Sequence, residues 1–179
     1  MSDELEVLKT VSERLETARI SFMLTGSFAM AYYGRPRMTR DLDLVVALSD
    51  NDAQGIVAAL SPEFHIDADD VHAAIRTERL FNVMHHETGV KVDLIVRKSA
   101  NFRQVEFDRR RSVKMGGVGT WIVSREDLIL SKLVWAKEMD SELQRRDAVN
   151  LLDETVDRNY LDRWAGELGV VEILREIAG

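Results

Sequence analysis

The stretch from Leu24 to Val46, LTGSFAMAYYGRPRMTRDLDLVV, constrains this chain more than any other. Ile20 to Thr25 is a short, partly β-branched run suited to a buried strand, and Gly26-Ser27 ends it where a helix of small and apolar residues begins at Phe28. Ser27 is expected to cap that helix. A helix N-terminus offers unpaired N–H groups and the positive end of the macrodipole, so a phosphate can dock there, with Gly26 allowing close approach to the backbone. The loop Gly34-Arg35-Pro36-Arg37 breaks the helix. Asp41 to Val46 then reads as a strand on which Asp41 and Asp43 share one face and Leu42 and Leu44 the other. Two carboxylates at that spacing suit Mg²⁺, a hard cation that takes oxygen ligands.

The rest of the chain supplies a frame for this stretch. Asp3 to Arg19 carries an apolar stripe at helical spacing, and Ser49 to Asp52 supplies caps for a helix running to Leu60. Phe64 to Ile66 reads as a short strand and Val71 to Arg76 as a short helix. Leu80 to Glu87 and Val90 to Arg97 flank Thr88-Gly89 as a hairpin. Its second strand places Asp93 in an apolar run, where a carboxylate is costly unless it is paired, hydrogen-bonded or bound to metal. Phe102 to Arg111 reads as a loop or short helix, and Val113 to Val123, with its glycines, as a looser strand pair. From Ser124 onward the pattern is helical. Lys132 lies in the apolar stripe of the first of these helices, where a cation either snorkels or meets an anion.

Composition narrows the function classes. With 179 residues and 45% hydrophobic content, the chain can build one real core with a helical appendage. No apolar run approaches the ~20 residues needed to span a bilayer, and the N-terminus is too polar for a secretory signal, so a cytoplasmic protein without membrane contact is expected. Zero cysteines leave oxygen or imidazole as the only metal donors. A net charge of −7 argues against nonspecific coating of nucleic acid. That average hides a basic middle, with seven Lys or Arg against two acids from Arg97 to Lys114, and an acidic tail, with eleven acids against five bases from Glu138 to Gly179. The four histidines lack partners at ligand spacing and read as structural or exposed. No nucleophile elbow, P-loop or Rossmann fingerprint is present.

The order strand, Gly-Ser, helix, basic loop, Asp-x-Asp strand resembles the nucleotidyltransferase superfamily; here thirteen residues separate Ser27 from Asp41. Arg37-x-Thr39-x-Asp41-x-Asp43 is similar to the form found in minimal nucleotidyltransferases and in AbiEii-like toxins of bacterial toxin–antitoxin systems. The resemblance implies an α+β fold, a nucleotidyltransferase-type mixed sheet flanked by helices, with residues 1–123 as the core and 124–179 as a helical region packed on it. It also implies that Asp93 joins Asp41 and Asp43 as a third catalytic and metal-binding carboxylate, and that Gly26, Ser27, Arg37 and Thr39 serve the nucleotide. The segment Ser124 to Leu152 resembles the C-terminal motifs of the same toxins, which implies Lys132 near the triphosphate and Asp147 near the site. On that view Lys132→Met, which keeps the apolar stem, is expected to weaken nucleotide binding and leave stability nearly unchanged.

The activity implied is Mg²⁺- or Mn²⁺-dependent transfer of a nucleoside monophosphate from a nucleoside triphosphate to a hydroxyl acceptor: RNA (tRNA included), a protein, or a small molecule such as an antibiotic. An antitoxin or operon partner goes with the toxin role. The alternative is a catalytically inactive binding module of the same fold. The presence of all three carboxylates favours the enzyme.

Overall fold

The computed structural model describes residues 1–34 and 39–179. Arg37 therefore lies outside the described residues. The chain adopts the expected α+β architecture, with a mixed sheet of seven strands flanked by helices. It divides into two compact units, Met1–Ala29 with Met38–Val123 and Met30–Arg37 with Ser124–Gly179.

In the first unit, helix α1 (Asp3–Thr17) starts at Ser2, whose hydroxyl accepts the Leu5 N–H, and has three acids in its first turn, where they oppose the macrodipole favourably. It buries Val7, Leu8, Val11 and Leu15, each contributing about 1.5–3 kcal/mol when fully removed from water. Strand β1 (Phe22–Thr25) is buried at all four residues. Helix α2 (Gly26–Tyr33) follows it directly, with Ser27 in its first turn. Gly26 has φ 67°, a left-handed conformation that only glycine adopts without cost. Strand β2 (Leu42–Val46) begins one residue after Asp41.

A 3₁₀ turn at Asp50–Asp52 leads into α3 (Ala53–Leu60), and β3 (Phe64–His65), α4 (Ala68–Thr77), β4 (Leu80–His85) and β5 (Lys91–Val96) follow. The segment left open as loop or helix contains α5 (Asn101–Asp108), and the glycine-rich stretch forms the hairpin of β6 (Arg111–Met115) and β7 (Val118–Ile122). The sheet order is β3-β4-β5-β2-β1-β7-β6. The β2/β5 and β1/β7 pairs are parallel and the others antiparallel. Helix α1 packs against β7 and α3.

The turn before α3 carries a test of its own. Ser49 donates its backbone N–H (2.7 Å) and its hydroxyl (2.6 Å) to Asp52 Oδ2. The hydroxyl first, then the backbone bond, holds the Asp52 carboxyl below the usual carboxylate range. A lowered folded-state pKa stabilises the fold above the unfolded pKa of about 4, and that gain is lost as pH falls through the lowered value. Asp52→Ala is expected to cost about 1 kcal/mol at pH 7. In urea titrations its deficit relative to the parent should shrink below pH ~4.

The second unit is helical: α6 (Arg125–Met139), α7 (Glu142–Leu151), α8 (Arg158–Leu168) and α9 (Val171–Ala178) pack together. Ser124 caps α6 by accepting the Asp127 N–H. Asp127 is fully buried and also accepts hydrogen bonds from the Ser124 hydroxyl (2.6 Å) and the Tyr160 hydroxyl (2.5 Å), so α8 is tied to the start of α6. The Arg125 guanidinium donates to the Tyr33 carbonyl (2.8 Å), which joins the end of α2 to α6.

Candidate active site

Strands β1, β2, β5 and β4 lie side by side, and one row of paired residues crosses all four. Thr25 is opposite Asp43, Asp43 opposite Asp93, and Asp93 opposite Asn82. Directly paired residues project from the same face with Cβ atoms about 5 Å apart. Alternation sends Leu42, Leu44, Val46, Val92, Leu94 and Val96 into the core on the opposite face. Asp43 and Asp93 therefore emerge together on the more open face, and like charges so placed repel.

The adjacent row holds a residue that sequence reasoning missed. Lys91 Nζ lies 3.1 Å from Asp93 Oδ2 and 3.4 Å from Asp41 Oδ2. The hydrogen bond that Lys91 donates to Asp93, opposed by partial burial and reinforced by the charges of Asp93 and Asp41, raises the Lys91 pKa. The signal was present in the alternation, since Lys91 stands two residues before Asp93 on its strand. Its approach to Asp41 depends on the β2/β5 register, which joins segments about fifty residues apart.

Gly26 packs against the same row. A Cβ built on it would fall 2.0 Å from Asp43 Oδ2 and 2.7 Å from its Cγ. The close approach that glycine permits here is thus made by the Asp43 carboxylate. Ser27 is buried in the first turn of α2, and the Thr39 hydroxyl donates to the Asp41 carbonyl at 3.4 Å.

In the second unit, Lys132 and Asp147 meet each other. They are 1% and 2% exposed, and the ammonium donates to Asp147 Oδ2 at 2.8 Å. Lys132 Nζ also stands 5.8 Å from the centroid of the Trp135 ring. Lys132→Met would take the ammonium from a buried carboxylate, so a loss of stability is expected in place of the neutral effect the sequence suggests.

Among the described residues no group of three His, Cys, Asp or Glu side chains closes to metal-binding spacing. The donors nonetheless fit a hard divalent cation. They are carboxylate oxygens, and Asp41 and Asp93 already share one cation, the Lys91 ammonium.

The basic middle stretch is partly folded into the core. Arg97 and Arg110 both lie over the Phe107 ring, at 5.1 and 4.4 Å from its centroid, and Arg110 also lies 5.1 Å from that of Trp121. Burial, with Arg97 nearby, lowers the Arg110 pKa. Of the histidines, His85 is buried and shares a 3.0 Å hydrogen bond between Nδ1 and Thr88 Oγ1. No helix among the described residues is long and apolar enough to cross a membrane.

Several solved structures share this fold. An antigenic nucleotidyltransferase-like protein from Paracoccidioides brasiliensis superposes with a TM-score of 0.68 at 19% identity, over 98% of this chain and 88% of that one. The antibiotic-resistance factor ANT(2'')-Ia, solved with adenylyl-2''-tobramycin, gives 0.62 at 12% identity over 94% and 98%. The lincosamide antibiotic adenylyltransferase LnuA, lincomycin-bound, gives 0.53 at 14% over 84% and 96%. No curated protein matches the chain. The profile of the nucleotidyl transferase AbiEii toxin family, described as type IV toxin–antitoxin, matches residues 12–149. That span takes in the Gly26-Ser27 turn, all three carboxylates and the Lys132–Asp147 pair, and the chain accordingly belongs to the AbiEii family of nucleotidyltransferases.

Proposed function

We propose that the protein transfers a nucleoside monophosphate from a nucleoside triphosphate to a hydroxyl acceptor, releasing pyrophosphate, with Asp41, Asp43 and Asp93 as the carboxylates of the site. The observation that carries this reading is the β2/β5 register, which sets Asp43 opposite Asp93 on one face, with Gly26 against the Asp43 carboxylate. Bound Mg²⁺ or Mn²⁺ would offset the charge that develops on the entering and leaving oxygens during in-line transfer. Asp41 and Asp43 would hold it together with Asp93, and Asp93 would also accept the proton of the attacking hydroxyl. The start of α2 at Gly26 and Ser27 offers N–H donors for the phosphates. Nucleotide-binding roles for Arg37, Thr39, Lys132 and Asp147 belong to the same proposal and rest on the resemblance of their motifs.

The toxin role, an antitoxin partner and a cytoplasmic setting follow from the family and are proposed with it. Among acceptors, RNA is favoured by the exposed basic residues of the middle stretch, Lys98, Arg109, Arg111 and Lys114. The deciding experiment incubates the protein with each α-labelled triphosphate, Mg²⁺ and a cell extract, then separates RNA, protein and small molecules. Label should enter one fraction and be lost with Asp43→Asn. Label in no fraction, under conditions where the triphosphate binds, would favour the inactive binding module.

Asp43→Asn keeps the side-chain shape and removes one of two facing charges. Folding should therefore be kept or improved while Mn²⁺ affinity falls. Calorimetric titration checks this, and unchanged Mn²⁺ binding would remove Asp43 from the site.

A further inference from the structure

We propose that Lys91 is a built-in counter-ion of the Asp41–Asp93 pair, occupying the carboxylates before metal binds and leaving them when a divalent cation enters. This rests on the reading of those carboxylates as the metal site. Metal loading is then an exchange of one cation for another, and the site is held together in its metal-free state.

The geometry supplies both halves of that exchange. Lys91 Nζ is within 3.4 Å of one oxygen from each carboxylate, so a single charge offsets part of the repulsion between them. Asp43, paired directly with Asp93, adds a third negative charge to the same face. The carboxylate oxygens that the ammonium contacts are the donors a hard divalent ion takes. The Lys91 side chain is also 34% exposed. A lysine carries its charge on a flexible four-carbon stem as a strongly hydrated point charge, so it can turn to solvent or to an arriving phosphate without disturbing β5. Asp93 is held differently, at 17% side-chain exposure in the centre of the sheet. The movable member of the cluster is the cation.

Contacts with neighbouring strands argue against an incidental surface pair. Lys91 is opposite Met84 of β4 on one side and next to Asp41 at the head of β2 on the other. Its strand position is set by five consecutive β2/β5 pairings, Leu42 with Val92 through Val46 with Val96. A slip of one residue would turn Lys91 and Asp93 to the core face together, so the register that brings Asp93 to Asp43 also delivers the ammonium.

The test is Mn²⁺ titration of the full chain, stripped of metal and without nucleotide, followed by calorimetry. Lys91→Met should bind Mn²⁺ about five- to tenfold more tightly than the parent, the effect of removing one like charge a few ångström away. Lys91→Arg, which keeps the charge, should not bind more tightly. In thermal unfolding, Lys91→Met should melt lower than the parent in chelator and gain more from added Mn²⁺. Equal or weaker Mn²⁺ binding by Lys91→Met, or no detectable binding by either protein, overturns the inference. If Lys91→Met does not fold, Lys91→Gln carries the same expectation; failure of both would mean a structural lysine and equally overturn it. Asp93→Asn in the same titration separates this from the underlying reading. If Asp93→Asn loses Mn²⁺ while Lys91→Met matches the parent, only the counter-ion inference falls. If Asp93→Asn binds like the parent, the carboxylate site itself is wrong.

Discussion

Lys132→Met should destabilise the protein by about 3–5 kcal/mol, because removing one member of a buried ion pair leaves the other charged and desolvated without that counter-ion. The stranded group is Asp147, 2% exposed on α7, which receives the Lys132 ammonium at 2.8 Å. The reciprocal change, Asp147→Asn, should also cost stability, and by less, since an amide can still accept a hydrogen bond from the lysine. Removing both charges with Lys132→Met and Asp147→Leu should recover most of the loss, since an apolar replacement of a whole buried pair is often neutral or stabilising. Asp147→Leu alone closes a double-mutant cycle with Lys132→Met and the double variant, read by urea denaturation. A single Lys132→Met cost below about 1 kcal/mol, the scale of an exposed pair, would show that the pair is wet. Loss of nucleotide binding by Lys132→Met is interpretable only below its unfolding transition. The double mutant, if stable, is the cleaner test of a direct nucleotide role.

Gly26→Ala should cost about 2–4 kcal/mol, combining a left-handed backbone penalty with forced overpacking. The added methyl would fall 2.0 Å from Asp43 Oδ2, 2.7 Å from its Cγ and 2.9 Å from its Cβ, so the carboxylate must leave its position. Gly89 is an internal control. It shares φ 67°, yet a Cβ there meets nothing within 4 Å. Gly89→Ala should therefore lose only the backbone part, about 1–2 kcal/mol. Mn²⁺ affinity should drop with Gly26→Ala and hold with Gly89→Ala. Equal effects of the two changes on stability and metal binding would mean that Gly26 serves only its turn.

Local order made much of the first unit readable. The Gly-Ser turn, the Asp-x-Asp spacing and the hairpin holding Asp93 are all short-range patterns, and period-two alternation fixes which side chains share a face once a strand is recognised. The pairing of Asp43 with Asp93 followed from the resemblance to known nucleotidyltransferases, because nothing local ties residues fifty positions apart. Lys91 escaped for that reason: its partner Asp41 belongs to another strand, and only the register joins them. The same limit applies to helices. Lys132 was legible as an ion in an apolar stripe and Asp147 through the resemblance, and their contact depends on how α6 turns its face to α7. Asp127 stands in the first turn of α6, and its bond to Tyr160 depends on a residue 33 positions away.

Helix α2 has a consequence for how the chain is made. Its first half belongs to one compact unit and its second half, from Met30, to the other, whose remaining residues begin only at Ser124. At the 5–20 residues per second of synthesis, Tyr33 leaves the ribosome on the order of ten seconds before Arg125, the side chain that binds its carbonyl. The sheet can assemble during that interval. The helical unit, although most of it is contiguous and C-terminal, starts with a piece already delivered and waiting, so a nascent chain stalled before Ser124 would display Tyr32 and Tyr33 without the helices that α2 joins.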